Sequence, residues 1–279
     1  MAFSPLPDYA TLELTGVDRL SFLQGQLTQD VGALEPSAVA TAAILNPAGR
    51  VLAVATLIAR DESAVLIVPA DVAASLAERL RRYVLRAKVR IASGTLAVAG
   101  RASATAARGH ERLADGASVV GLGSRELLIA PAAVLASHLA PDDGAGAAAW
   151  ELGGVLAGEP SVVAATAELW TAQMLNLDLL RAISFTKGCY TGQEIVARTQ
   201  HLGRIKRRTF RYRSEESVGV ARGEALFLEG AKVGEVVRSG RDGAATELLA
   251  VVGLEARERP LDTERGARFA PRPLPYAVP

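Results

Sequence analysis

Lys187-Gly-Cys-Tyr-Thr-Gly-Gln-Glu194 places the only cysteine of a 279-residue chain beside a helix-start signal. Thr191 followed three residues later by Glu194 reads as a capping box, in which each side chain satisfies the other residue's free backbone N–H. Cys189 then precedes the N-cap by two positions. There the positive end of the helix and the nearby cation of Lys187 both favour a thiolate. Gly188 and Gly192 allow the backbone to turn sharply and to approach a neighbour closely. Cys189 has two readings from type alone: a small apolar filler, or a thiol open to oxidation and exchange. No base for it is evident, because His110, His138 and His201 are scattered.

Outward from this stretch, length and composition set the limits. A chain of this size should divide into two or three compact units. With 49% hydrophobic and 22% charged residues it is an ordinary globular protein, and a net charge of +1 gives no global pull toward nucleic acid. A single cysteine excludes an internal disulfide and a four-thiolate metal or iron–sulfur site, and it fits a reducing compartment. No apolar run is long enough to span a membrane and no secretory signal is visible, so the expected location is cytoplasmic.

Residues 51–58 and 64–68 read as a hairpin, and Asp71 as the cap of a helix running to Lys88 with Val72, Leu76, Leu80, Tyr83 and Val84 on one face. Strands follow at 89–91 and 96–99, then a loop at 100–109, a hairpin at 117–122 and 126–129, a short helix at 131–139 and a link at 141–146. From Lys206 onward short runs between Gly and Asp-Gly turns suit a small antiparallel barrel. The last eleven residues contain four prolines, which predicts an extended or poorly ordered tail. The expected organisation is α+β: a first unit at 1–95, a second at 96–200 carrying the cysteine motif, and a barrel with its tail at 201–279.

Two further features bear on chemistry. Gln24 and Gln26 flank Gly25 in a turn, where amides can line a polar pocket. Arg198, Arg204, Lys206, Arg207, Arg208, Arg211 and Arg213 form a basic run with no acidic residue between Glu194 and Glu215. It reads either as a solvated sheet edge or as a patch for phosphates or a polycarboxylate tail. Glu194 is similarly open: it can complete a cap, or accept two N–H bonds from an amidine-like ring such as a pterin. Gln193 could serve the same heterocycle with one donor and one acceptor.

Together with Phe22-Leu-Gln-Gly-Gln-Leu-Thr-Gln-Asp30, Leu45-Asn-Pro-Ala-Gly-Arg50 and Gln173-Met-Leu-Asn-Leu-Asp178, the motif resembles the YgfZ family. These are folate-binding proteins similar to the T-protein of the glycine cleavage system. The resemblance implies a three-unit ring, two ferredoxin-like α+β units and a C-terminal barrel, around a central tetrahydrofolate site. It also implies a monomer that helps make or repair iron–sulfur enzymes, affecting tRNA modification through them, with those enzymes or their assembly proteins as partners. Cys189 would be the functional thiol, with Lys187 beside it. Glu194, Gln193, Tyr190, Gln24, Gln26 and Arg198 would contact the folate. The T-protein carries a pair of aspartates where this chain has Ala53 and Val54, which argues against aminomethyl transfer. Ala172 stands where the family commonly has proline. Two competing readings are a folate-dependent one-carbon transferase and an RNA-binding module using the basic run. The near-neutral charge and the lack of interleaved aromatics make direct nucleic-acid binding the weakest.

Overall fold

The computed structural model describes residues 3–35, 38–103, 106–141, 144–201 and 203–279. A first sheet has the strand order β3-β4-β5-β2-β6. Its members are β2 (Tyr9–Thr15), β3 (Val39–Leu45), β4 (Val51–Ala59), β5 (Ser63–Pro69) and β6 (Arg90–Ser93), all paired antiparallel. Alternating burial along β4 gives the sheet two occupied faces. Against one lie α1 (Arg19–Gln24) and α2 (Ala70–Arg82), with Val72, Leu76 and Leu80 buried as the spacing requires. The helix stops at Arg82, short of Lys88, and Pro69 takes the N-cap position. Asp71 is not a cap: its carboxylate accepts from the backbone N–H of Ala164, tying α2 to a distant segment.

The second sheet has the order β1-β7-β10-β9-β8. It consists of β7 (Ala97–Ala102), β8 (Gly109–Arg112), β9 (Ser118–Gly121) and β10 (Arg125–Ala130), with the two-residue β1 (Ser4–Pro5) added from the N-terminus. Part of the stretch read as a loop is therefore strand; Ala104 and Thr105 lie outside the described residues. α3 (Ala132–Ala136) and α4 (Ala145–Leu156) follow, and the second of these replaces the end of the expected link. Its glycines face large neighbours: a Cβ on Gly154 would sit 1.9 Å from the guanidinium of Arg238, and one on Gly153 2.6 Å from the Arg125 side chain.

The C-terminal barrel closes in the order β11-β14-β13-β12-β15-β16. Its strands are β11 (Arg207–Ser214), β12 (Ala225–Leu228), β13 (Ala231–Asp242), β14 (Ala245–Gly253), β15 (Leu261–Thr263) and β16 (Arg268–Arg272). The proline-rich end is extended but held: Phe269 is fully buried in the barrel core, and the Tyr276 hydroxyl donates to the Gly158 carbonyl at 2.8 Å. Between sheets and barrel runs the segment 160–206. Its apolar side chains, Val162, Trp170, Leu175, Leu177, Tyr190 and Val196 among them, pack with Ala43, Leu45 and Val51 of the first sheet and with Val237, Leu249 and Val251 of the barrel. The cysteine motif thus seals the first sheet to the barrel, although in sequence it follows the second sheet. α5 (Gln193–His201) lies at its end.

Candidate functional site

The site is built on the loop that follows α1. The Gln24 side chain organises it: Oε1 accepts from the N–H groups of Val31 (2.7 Å) and Gly32 (3.3 Å), and Nε2 donates to Asp30 (2.9 Å). The loop turns three carbonyls inward. Lys187 Nζ donates to those of Gln24, Leu27 and Gln29, each at 2.7 Å, so every proton of the ammonium has an acceptor. The amine also sits 5.0 Å from the centre of the Tyr190 ring. Burial pulls Lys187 down from 10.5 to about 8, against the opposing charge of Asp30. Thr28 adds a second tie, donating to the Ala182 carbonyl at 2.6 Å and accepting from Ala43 N–H at 2.8 Å.

The start of α5 departs from the capping box. The helix begins at Gln193, and the reciprocal pair is Tyr190 with Gln193: the Tyr190 N–H donates to Gln193 Oε1, and the Gln193 N–H to the Tyr190 carbonyl, both at 3.2 Å. Gly192 explains the shift. At φ +82 it separates Thr191 from the helix, and it lets the backbone approach the β3–β4 turn, where a Cβ would lie 2.6 Å from the Asn46 carbonyl oxygen. Gly49 of that turn answers it, at φ +71, with its missing Cβ 2.6 Å from that of Ile195. Behind the helix, Gln173 Nε2 donates to the Val196 carbonyl at 2.8 Å. Arg208 grips Asp178 with both terminal nitrogens, at 3.0 and 2.8 Å, and reaches the Gln173 carbonyl. Residues 24–30, 45–50, 173–178, 187–194 and Arg208 are therefore one connected structure.

What this frame presents is narrower than the set expected from sequence. Lys187, Gln24 and Gln193 are occupied by the frame itself. Tyr190 is buried, which pushes its hydroxyl up to about 12. Gln26 is half-buried. Cys189 is exposed as a free thiol, and Glu194 and Arg198 are exposed on the first two turns of α5, with no partner among the described residues. The basic run divides. Arg207 pairs with Glu235, Arg208 with Asp178, Arg211 with Glu247, and Arg213 with Asp242, Glu215 and Glu247. Arg204 and Lys206 stay exposed without a partner among the described residues.

A second site has no local signature in the sequence. Where the two sheets meet the barrel lies a cavity lined by Tyr9, Val54, Arg125, Trp150, Glu159 and Arg238, among others. Arg125 pairs with Glu159, donates to the Trp150 carbonyl at 3.1 Å and lies 4.1 Å from the indole centre. Arg238 donates to both oxygens of Glu151, at 3.0 and 3.1 Å, and to the Tyr9 hydroxyl at 3.2 Å. Burial opposes the charge of Arg238, but Tyr9 and Glu151 outweigh it and hold the guanidinium above its ordinary value. Burial also raises Glu151, yet Arg238 and Arg222 keep it below the ordinary carboxylate range. Trp150 Nε1 and Arg125 Nε are buried here with no hydrogen-bond partner. Both orphaned donors belong to the stacked indole–guanidinium pair that borders the cavity. On β4 the cavity meets Val54, while Ala53 is fully buried in the core of the first sheet.

Two antiparallel sheets and a closed barrel in this arrangement are the fold of an aminomethyltransferase T. The glycine cleavage system aminomethyltransferase T from Bartonella henselae superposes with a TM-score of 0.77 over 99% of this chain and 86% of that one, at 16% identity. Sequence relatives are nearer. The chain is 33% identical over 226 residues to the tRNA-modifying protein YgfZ of Colwellia psychrerythraea, covering 74% of this chain and 69% of that protein. The Serratia proteamaculans protein of the same name is 30% identical over 72% and 68% of the two chains. An uncharacterized Haemophilus influenzae protein is 31% identical over 75% and 72%. No family model matches. The chain belongs to the YgfZ family.

Proposed function

We propose that this chain is a tetrahydrofolate-binding accessory protein for iron–sulfur enzymes, acting on tRNA modification through them, with Cys189 as its working thiol. The observation that carries this reading is the division of labour within residues 187–194. The three protons of the Lys187 ammonium and the Oε1 of Gln193 are taken by the frame, whereas Cys189 is exposed on a loop braced on both sides. A thiol so held is presented to a partner at little ordering cost. The names of the Colwellia and Serratia relatives, tRNA-modifying proteins, support the link to tRNA modification.

Tetrahydrofolate, when bound, supplies a pterin ring and an amine able to carry a one-carbon unit. In this proposal the central cavity holds it, Trp150 and Arg125 offering a flat surface and two unmet donors. None of the residues expected to contact folate lines that cavity; of them we keep Glu194, Arg198 and the half-buried Gln26 as contacts, while Gln24, Gln193 and Tyr190 serve by holding the loop. Arg198, Arg204 and Lys206 are the cations we assign to a polycarboxylate tail or an acidic partner. With Val54 and Ala53 on β4, that strand has no carboxylate to exchange a proton with the folate amine, so aminomethyl turnover is not expected. No helix among the described residues is long and apolar enough to cross a membrane; we place the protein in the cytoplasm as a monomer.

The test is a cell whose only copy carries Cys189→Ala. Iron–sulfur enzymes that modify tRNA should lose most of their activity, while the purified variant keeps its melting temperature. Undiminished tRNA modification in those cells would overturn the thiol's role.

A further inference from the structure

Away from the motif and outside the cavity lining, cations gather at the seam of the two sheets. β8 and β9 pair so that Arg112 stands opposite Ser118 and His110 opposite Val120. Directly paired residues share a face with their Cβ atoms about 5 Å apart, so Arg112, Ser118, His110 and Val120 all look the same way. Val120 is buried in the core that joins the sheets, against Ile58 and Val65 of β4 and β5. From the end of β4 Arg60 crosses the same seam, its Nη2 donating to Ser118 Oγ at 2.8 Å. Arg60, Arg112 and His110 therefore crowd around one serine. Arg19 braces the cluster from behind, donating to the backbone carbonyls of Arg60 and Asp61.

The cluster lacks what like charges require. Among the described residues no carboxylate lies within ion-pair distance of Arg60, Arg112 or Arg19. Glu13 and Asp61 act on the cluster only from farther off. Arg60 Nε, Arg19 Nε and both ring nitrogens of His110 are buried without a hydrogen-bond partner. A buried donor left without an acceptor is costly, so the cluster is incomplete as it stands. Burial and the neighbouring guanidiniums of Arg60 and Arg112 hold His110 below its ordinary value. Arg112 is exposed and Arg60 half-buried, so the cluster opens to solvent on the Arg112 side.

We infer that Arg60, His110, Arg112 and Ser118 form a binding site for a phosphate group, in which the anion lies between the two guanidiniums over the imidazole. Bidentate guanidinium pairs suit the oxygens of phosphate, and the serine hydroxyl already orients Arg60. Bound phosphate supplies the missing negative charge, so His110 takes up a proton and donates an N–H toward it.

The test follows the three histidines of the full-length chain by NMR across pH, with inorganic phosphate titrated in at constant ionic strength. His138, paired with Asp115, and the exposed His201 serve as references. The His110 midpoint should rise by about 1 in pH, saturably, while the references stay still. Arg60→Gln and, separately, Arg112→Gln should remove the rise; two variants guard against one that fails to fold. If His110 ignores phosphate, or moves only as much as His138 and His201, the site does not exist. A short single-stranded RNA that displaces phosphate from the intact site marks a phosphodiester ligand; RNA that leaves phosphate in place marks a small phosphorylated molecule.

Discussion

Lys187 brings together three carbonyls that would otherwise repel one another, and its geometry decides what a change there does. Lys187→Met keeps the length of the side chain but leaves the carbonyls of Gln24, Leu27 and Gln29 unmet, and a drop in melting temperature is expected. The sign of the pH effect follows from burial. Lys187 titrates at about 8 when folded and at its ordinary 10.5 when unfolded, so between those values the unfolded chain holds more protons. Stability from this group therefore grows as pH rises through that window and is lost as pH falls through about 8. The melting temperature of the parent minus that of Lys187→Met should widen from about pH 8 to about pH 10; a gap that narrows would refute the lowering of Lys187 by burial. Cys189, two residues on, has no such duty. Iodoacetamide should label it to completion in the folded chain, and protection until urea unfolds the protein would contradict its exposure.

α5 and the β3–β4 turn meet glycine to glycine, and that contact explains why two short segments far apart in sequence belong to one site. Gly49→Ala must adopt a left-handed backbone and displace Ile195, at a cost of about 1–3 kcal/mol in urea unfolding. Gly188→Ala, with open space around it, should cost far less. The same comparison shows what could be read in advance. The hairpin of β4 and β5, α2 and the barrel strands announce themselves by alternation, helical spacing and turn residues. α4 does not: its first two residues fall in the link expected at 141–146, and no element is expected over the rest of its Ala- and Gly-rich length. Its glycines are there to admit Arg125 and Arg238, and those arginines come from other elements. The capping box failed for a similar reason: Gly192 serves the turn it touches rather than the helix it precedes.

At the scale of the whole molecule, the buried pairs of Arg238 and Arg125 join β2, β10, α4 and β13 around the central cavity. Arg238→Met leaves Glu151 with only Arg222 and Tyr9, and a loss of about 3–5 kcal/mol is expected. Arg259→Met, which removes an exposed pair with Glu229, should cost under about 1 kcal/mol. None of this network was legible in the sequence, since its members stand alone at positions 9, 125, 151, 159 and 238 and meet only when the units close on one another. The motif, by contrast, showed where the frame lies, though not that Lys187 and Gln193 are absorbed by it. In the proposed function the cavity binds folate and the exposed thiol serves a partner. Calorimetric titration of tetrahydrofolate into the full chain, Cys189→Ala and Trp150→Ala tests it most directly. Saturable binding unchanged by Cys189→Ala and weakened at least tenfold by Trp150→Ala, about 1.4 kcal/mol, is the predicted result. No heat of binding to the parent chain, or binding that depends on Cys189 and not on Trp150, would contradict it.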